Sequence, residues 1–525
     1  MSSPDADRAE AAAAREWSAL LVVVLPVLVL SMDVSILLLA LPSIGRDLDP
    51  GPTQQLWTAD IYGFTLAGFL ITMGTLGDRI GRRRLLVWGA VAFAVVSAAA
   101  AYAPSPEALV LARALLGVAG ATIMPSALAT VAHLFRDPRR RESAIALVFG
   151  CFLVGGTLGP VVGGVLLSFF WWGSVFLVAV PVMALVVVLA PRVLPESSDP
   201  DAGRLDLPSV GLSLGGVLAF VGGLKVLARD GWSLPGAALA VAGVALLVLF
   251  SVRQLRLEAP LVDLSVLRVN AVRTCLVVAV LGGVVLGGVF FMVTQFLQLV
   301  HGLDPLAAGL WMMVPTGAMA VGTLLGPWCA ARTRPVVVMA GGTLLAAVGL
   351  LGLLLVSADQ GEAVLVGALS VALFGFGLPG GLGINVIVGS VAPERAGAVS
   401  GLSSTGQELG VALGLAALGG TALAVYRGRL GGSLGDAPAQ TLARARSSLT
   451  AALDTDDPAV ADAAREAFTH ALHVVSGLSA TVVLALAVLV ALTLRHLPNA
   501  GAQAAPEPGH GAQPDSRTTP QKETT

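Results

Sequence analysis

Charge is what this sequence has least of. Only 12% of its 525 residues are charged while 56% are hydrophobic, and its mean hydropathy is +0.85; soluble domains carry about 25% charged residues. Lysine is nearly missing, with Lys225 and Lys522 standing against 29 arginines. Val226 and Glu523 follow them, so no G-K-[ST] phosphate loop exists and a pump driven through one is excluded. The three cysteines, Cys151, Cys275 and Cys329, make no CxxC pair and join no histidine, so neither a disulfide framework nor a thiolate metal site is indicated. They read as small apolar packing residues. The six histidines form no HExxH and no Ser/His/Asp set, so no enzyme activity, metal or cofactor is expected. His470 and His473, at i and i+3, are either a metal pair or a solvated helix face, the commoner case. A net charge of −2 offers no basic surface to nucleic acid. The N-terminal "MSSPDADRAEAAAAREW" lacks the basic start of a cleaved signal peptide, so the apolar run after it is expected to be retained.

Present instead are many apolar runs of about 20 residues, the length that crosses a hydrocarbon core as a helix. Lipid offers no partner to an open backbone, so such runs must be helical. The fold class is therefore an all-α polytopic membrane protein. Fourteen transmembrane helices are expected near 17–41, 55–76, 84–103, 107–134, 142–168, 171–191, 207–227, 234–252, 271–300, 305–329, 334–357, 362–390, 396–426 and 468–495. In the short loops, nineteen arginines fall on the side of the N-terminus, against Arg46, Lys225 and Arg229 on the other. The positive-inside rule puts both termini in the cytoplasm. Residues 427–467 are too polar to cross. Their helical periodicity on either side of "DTDDP" predicts an outer helical hairpin, which either caps an exit route or is a solvated loop without a role. Residues 498–525, rich in Pro, Gln, Gly and Thr, read as a disordered tail.

A few ionisable residues interrupt the apolar runs. Asp33 is the only charge between Trp17 and Leu41, and a carboxylate at the bilayer centre costs roughly 2.5–3.5 kcal/mol even on the lenient insertion scale. Glu408, in "SSTGQELGVALG", lies deep in the thirteenth run and is hard to explain by packing alone. Arg113, in "LARALLGVAGA", must pair with an acid or with carbonyls; Asp33 and Asp60 are its nearest candidates. It is either a proton-relay partner or a structural anchor. Asp60, in "LWTADIYGFTLAG", lies about one turn inside the end of the second run, as a buried acid or a solvated interface residue. Lys225 reads as a snorkelling interface residue.

Two motifs are more specific. The loop after the second run, "GTLGDRIGRRRLL", has the ordered set Gly74, Gly77, Asp78, Arg79, Gly81, Arg82 and Arg83. The fifth run holds "GGTLGPVVGG", with Gly155, Gly159 and Gly163 on one face, Gly164 beside them, and Pro160 removing a backbone hydrogen bond. The first resembles the signature loop of the major facilitator superfamily, the second the antiporter motif of its exporters. Arg113 matches the superfamily's R-x-x-x-G-x-x-x-A pattern, with Leu116 where glutamine is common. "MDVSILLLALP", "LWTADIYGFTLAG" and "RALLGVAGATIMPSAL" resemble the fourteen-span drug:proton antiporters, specifically exporters of quaternary ammonium compounds. By position Asp33 and Asp60 correspond to that family's acidic pair. The acid that the family often has in the tenth span is missing, and Ala179 stands where many relatives have asparagine.

The resemblance implies a major facilitator fold: a cytoplasmic N-terminus over 1–16, an N-terminal six-helix bundle over 17–191, a linker with two extra helices over 192–270, and a C-terminal six-helix bundle over 271–497 that carries the 427–467 hairpin. "GPWCAARTRP", Gly326 to Pro335, is a worn second copy of the signature loop without its aspartate, as expected of a parallel repeat. The implied function is proton-coupled export of lipophilic, cationic drugs or antiseptics across the bacterial cytoplasmic membrane; the alternative is a dedicated exporter of one antibiotic or metabolite. Protons are the coupling ion and no cofactor is needed. The partners are small cations, protons and lipid, without nucleic acid, and the chain is expected to be a monomer. A carboxylate away from water favours its neutral form, so Asp33 or Glu408 would hold either a proton or a cation, with Asp60 and Arg113 as coupling partners. Trp57, Tyr62, Phe290, Phe291, Phe296 and Gln407 are the candidate cavity residues; each aromatic is also an ordinary packing residue in its own right.

Overall fold

The computed structural model describes residues 4–135, 137–198, 206–230, 233–257, 264–358, 361–388, 390, 393–433, 439–455 and 457–495. Every regular element among the described residues is helical. The first six runs become α1 (Pro4–Leu48), α2 (Pro52–Ile80), α3 (Arg82–Ala101), α4 and α5 (Pro106–Gly120 and Ile123–Leu134), α6 (Pro138–Phe169), and α7 and α8 (Ser174–Leu177 and Ala179–Val193). The extra pair is α9 (Leu207–Asp230) and α10 (Leu234–Gln254). The second half holds α11 (Asn270–Gln295), running into a π-helical turn at Phe296–Val300, then α12 (Pro305–Arg332), α13 (Pro335–Gly352), α14 (Glu362–Val388), α15 (Pro393–Ser433), α16 (Ala439–Ser447), α17 (Leu449–Leu453) and α18 (Pro458–Thr493). Thirteen helices among the described residues are long and apolar enough to cross a bilayer, and α2, bent by 51° between Leu70 and Thr72, makes a fourteenth span.

Several spans start where the sequence supplies a proline, whose missing N–H is no loss at a first helical turn: Pro52, Pro106, Pro305, Pro335 and Pro458. Side-chain oxygens of Ser105, Asp304 and Asp457 accept from the exposed backbone N–H groups beside three of these starts. All three lie at the end of the molecule opposite the Asp78–Arg83 loop, called the far end below.

Buried side chains from α1 to α8 make one core. A second core draws on α11, α13, α14, α15 and α18, and takes in Leu38, Leu39, Leu41, Leu56 and Ala59 from the first half. The two bundles thus share apolar surface toward the far end. They meet along two seams, α6 against α12 and α2 against α15. The α9–α10 hairpin lies against the second seam: Phe64 of α2, Val221 of α9, and Ala412 and Ala416 of α15 form one buried cluster.

The far-end hairpin differs from expectation in one respect. Its first arm is α16 and α17, but its second arm is the start of α18, which runs unbroken from Pro458 to Thr493. Asp457 closes the turn by capping α18, so no break is needed at residue 467. Residues 1–3 and 496–525, including the expected tail, lie outside the described residues.

Candidate functional site

Small residues bring α6 onto α1 around Asp33. A β-carbon on Gly155 would lie 2.5 Å from the Leu28 carbonyl oxygen, one on Gly163 would lie 3.1 Å from Ile36, and one on Gly159 would strike the Ser35 hydroxyl. Only hydrogen fits at such contacts, so the glycine stripe sets the distance between the two backbones. The Ser31 hydroxyl donates to the Phe152 carbonyl at 2.5 Å, tying the same helix turn to α6. The other face of α6 meets the second bundle. There a β-carbon on Gly164 would lie 2.7 Å from the Pro305 carbonyl oxygen, and Gly309 packs directly on Pro160. The Gly/Pro helix is therefore the piece that touches both the Asp33 turn and the opposite bundle.

Asp33 pairs with Arg113 of α4, whose Nη1 donates to its Oδ2. The Arg113 side chain is fully buried and that of Asp33 is 7% exposed. The guanidinium also lies over the Tyr62 ring, 4.4 Å from its centroid. Among the described residues, Arg113 Nε and Nη2 and the Tyr62 hydroxyl have no hydrogen-bond partner. Unmet buried polar groups carry a desolvation cost, so the pair is tight but incompletely satisfied.

Asp60 does not join this pair. Lys225 Nζ of α9 lies 2.8 Å from both Asp60 carboxylate oxygens, and both side chains are at most 1% exposed. The ammonium also sits 3.6 Å from the centroid of the Trp57 ring. Of the two alternatives for Asp60 the buried acid is the one the structure shows, and one expectation is corrected: Lys225 does not snorkel. Once Asp60 is dehydrated, pairing with Lys225 is the arrangement that leaves neither charge exposed to hydrocarbon.

Glu408 lies on α15 where that helix packs on α2. A β-carbon on Gly63 would be 3.0 Å from Ala412 Cβ and 3.9 Å from the Glu408 carbonyl oxygen. The Glu408 side chain is half-buried. Among the described residues it has no ion-pair or hydrogen-bond partner. Tyr62, the residue before Gly63 on α2, carries the Arg113 guanidinium on its ring and so stands between the Asp33 pair and the α2–α15 seam.

The remaining aromatics divide. Tyr62 and Trp57 each stack on one of the protein's own cations, and Trp57 also lines an apolar groove between α2 and α4. Phe296 is fully buried, packed on His301 and Phe468, and belongs to the second core. Phe291 lines a far-end cavity of about 70 Å³, shared with Tyr426, Leu449 and Thr450, whereas Phe290 is partly buried against the second core. Gln407 is exposed.

The signature loop is built by one conformational demand. Gly81 has φ +107°, a region that side chains with a β-carbon avoid. A β-carbon there would also collide with Glu196. Asp78 pairs with Arg82 one turn on, Gly77 makes room for the Arg82 side chain, Gly74 has ordinary contact space beside Pro125, and Arg79 is exposed. Glu196, just after α8, holds the loop: it accepts from the Arg83 backbone N–H at 3.2 Å and lies 3.3 Å from Arg83 Nε and 3.7 Å from Arg84 Nε. Arg83 Nη1 further donates to the Leu194 carbonyl at 3.2 Å, and the Arg82 N–H donates to the Ser197 carbonyl.

Glu196 and Lys225 are the residues that sequence reasoning missed in this role. Each carried a signal: Glu196 is an acid at the end of the molecule where arginines gather, and Lys225 is one of two lysines in an arginine-rich chain, set in an apolar run.

Comparison with known proteins agrees with this geometry. A family model described as Major Facilitator Superfamily matches residues 23–415. The multidrug efflux pump LfrA of Mycolicibacterium smegmatis is 41% identical over 487 residues, covering 92% of this chain and 97% of the relative. The methyl viologen resistance protein SmvA of Salmonella typhimurium is 31% identical, covering 90% and 97%. Among solved structures, an inward-facing, unoccupied bacterial homologue of the human lysosomal transporter Spinster superposes with a TM-score of 0.65 at 18% identity, covering 92% of this chain and 97% of that one.

Proposed function

The chain belongs to the major facilitator superfamily, and we propose on that premise that it is a proton-coupled antiporter exporting lipophilic organic cations. The observation that carries the reading is the dehydrated Asp33–Arg113 pair on the helix turn that the Gly/Pro helix grips. In this state Arg113 holds the position of a counter-ion to Asp33. A proton arriving on Asp33 cancels the attraction; an organic cation replaces it. The carboxylate can hold one of these at a time, because scarce water leaves a net charge poorly compensated. Cargo binding from the inner side releases the proton, and protonation from the outer side releases the cargo.

Multidrug efflux in LfrA and methyl viologen resistance in SmvA support a drug-like, cationic cargo. The concentration of arginine on the loops of the signature end supports placing that end, with both termini, in the cytoplasm of a bacterial cell membrane. The far end, where the bundles share apolar surface, would then be closed toward the outside. Exchange of one proton for one monovalent cation moves no net charge, so the pH difference drives it, at about 1.4 kcal/mol per pH unit; each proton moved in excess of the cargo's charge adds about 2.3 kcal/mol per 100 mV. No cofactor enters this scheme, and one chain suffices for it.

The test is proton-gradient-driven transport of ethidium in everted vesicles, whose lumen corresponds to the outside of the cell. Uptake into the vesicles that a protonophore abolishes, and that Asp33→Asn removes without loss of protein, is the expected result. Equal flux by wild type and Asp33→Asn would defeat the coupling role. A panel of cationic dyes and disinfectants tests breadth; resistance to a single antibiotic alone would mark a dedicated exporter.

A further inference from the structure

The α9–α10 hairpin is the part of the molecule that a two-bundle transporter does not require. Yet it places a dehydrated cation inside the transport core. Lys225 reaches out of α9 to Asp60 of α2, and its ammonium rests on the Trp57 ring with Nζ 3.6 Å from the centroid. A carboxylate at one side and an aromatic face at the other is the surrounding that binds an organic ammonium or a flat aromatic cation. The site therefore has the form of a cation receptor, and the residue occupying it belongs to the protein.

Trp57 is also part of a second feature. An apolar groove of about 330 Å³ runs between α2 and α4, lined by Trp57, Ile61, Val110 and Leu111 together with Gln54 and Glu107. Gln54 Nε2 donates to Glu107. Leu111 is 61% exposed, so the groove opens sideways toward lipid. An apolar slot that has a carboxylate in its lining, and that shares Trp57 with the Lys225 ammonium, is complementary to a lipophilic cation.

We propose that Lys225 is a tethered competitor for the transported cation: it occupies the Asp60–Trp57 site when cargo is absent, and an organic cation binds there by displacing it. Return of the ammonium to Asp60 then ejects the cargo, with the far-end α2–α4 groove as its way out. The extra hairpin thereby sets which cations can bind, since only one that interacts with Asp60 and Trp57 better than a primary ammonium displaces Lys225. The inference rests on the reading that organic cations are the cargo.

Binding of tetraphenylphosphonium to the purified full-length protein in detergent tests it, with thermal melting as the control for folding. Lys225→Met should bind about tenfold tighter or more, because the internal competitor is gone. Lys225→Arg, which keeps a cation on Asp60 and can engage both carboxylate oxygens, should bind no tighter than wild type. The double variant Asp60→Asn, Lys225→Met should lose the gain, since the carboxylate that attracts the probe is removed along with its partner. Should Met at 225 not fold, Lys225→Gln is read in the same way. Unchanged or weaker binding by a folded Lys225→Met, or an equal gain in the double variant, overturns the proposal. A wild-type protein that neither binds the probe nor extrudes ethidium would instead refute cation export itself, a distinguishable failure.

Discussion

Removing Asp33 while leaving Arg113 in place is the sharpest perturbation the structure offers. The Arg113 side chain is fully buried and its one charged partner is Asp33, while its Nε and Nη2 already lack acceptors. Asp33→Asn therefore leaves a guanidinium inside the bundle with no opposite charge. Breaking a buried ion pair from one side costs about 3–5 kcal/mol. Arg113→Met leaves an unpaired carboxylate and should cost a similar amount. The double variant leaves neither charge, so it should lie within about 1–3 kcal/mol of wild type, the remaining deficit being an unsatisfied amide. Thermal unfolding of the four proteins in one detergent reads the stability half of this cycle, and proton-driven ethidium flux in vesicles reads the functional half. Both single variants should melt well below wild type, the double should recover most of that loss, and all three should be inactive. Losses that simply add would show that Asp33 and Arg113 do not feel each other, and a double variant that still exchanges protons for dye would remove Asp33 from the mechanism.

Gly159→Ala should abolish transport and destabilise by about 1–3 kcal/mol through overpacking, because the new methyl meets the Ser35 hydroxyl; combining it with Ser35→Gly should restore flux, and failure to do so would refute the contact. Gly81→Ala should weaken the loop through both its φ of +107° and the Glu196 contact, at about 1–2 kcal/mol for the backbone alone, read as faster protease cleavage after Arg82 or Arg83. Glu408→Gln should change stability little, since no partner is left unpaired, while uncoupling dye flux from the proton gradient; a melting loss as large as that of Asp33→Asn would refute its unpaired state. At the signature end, the Arg253 hydrogen bond holds the Asp206 carboxyl below the usual range. Its contribution to anchoring α9 and α10 is thus full above about pH 4 and fades as pH falls through the lower folded value, so hydrogen exchange in the hairpin should rise on acidification in wild type and lose that dependence in Asp206→Asn.

The spans were legible because lipid gives a helix no alternative and length counts them directly. The Gly155–Gly163 stripe was legible for a related reason: a face of glycines can only mean a close neighbour. Partner choice was not legible. Asp60 and Lys225 are 165 residues apart in sequence, and nothing in local periodicity says that the ninth helix lies across the seam between bundles. Reading Lys225 as a snorkelling residue followed a sound general tendency, which fails here because a carboxylate lies closer than the membrane surface. Phe296 left both readings open. An aromatic near a span end fits a cavity wall as well as a core, and only the fold, in which all of residues 291–300 are buried, decides for the core.

The placement of the ionisable groups bears on coupling itself. An antiporter must prevent its empty, unprotonated form from switching sides, or the gradient leaks away without cargo. Asp33 and Asp60 cannot impose that rule alone, because Arg113 and Lys225 neutralise them when nothing is bound and neither pair leaves a net charge to resist movement. Glu408 is different. It has no internal cation, and it sits on α15 against α2, at a seam that must shift when the bundles rock. An ionised carboxylate there resists transfer through the closed state by the cost of an unpaired charge in a dry interior; a proton or a bound cation removes that cost. The paired acids are then suited to select the cargo by competition. The unpaired acid is suited to forbid movement without a passenger, and so to complement the exchange of proton for cation proposed at Asp33.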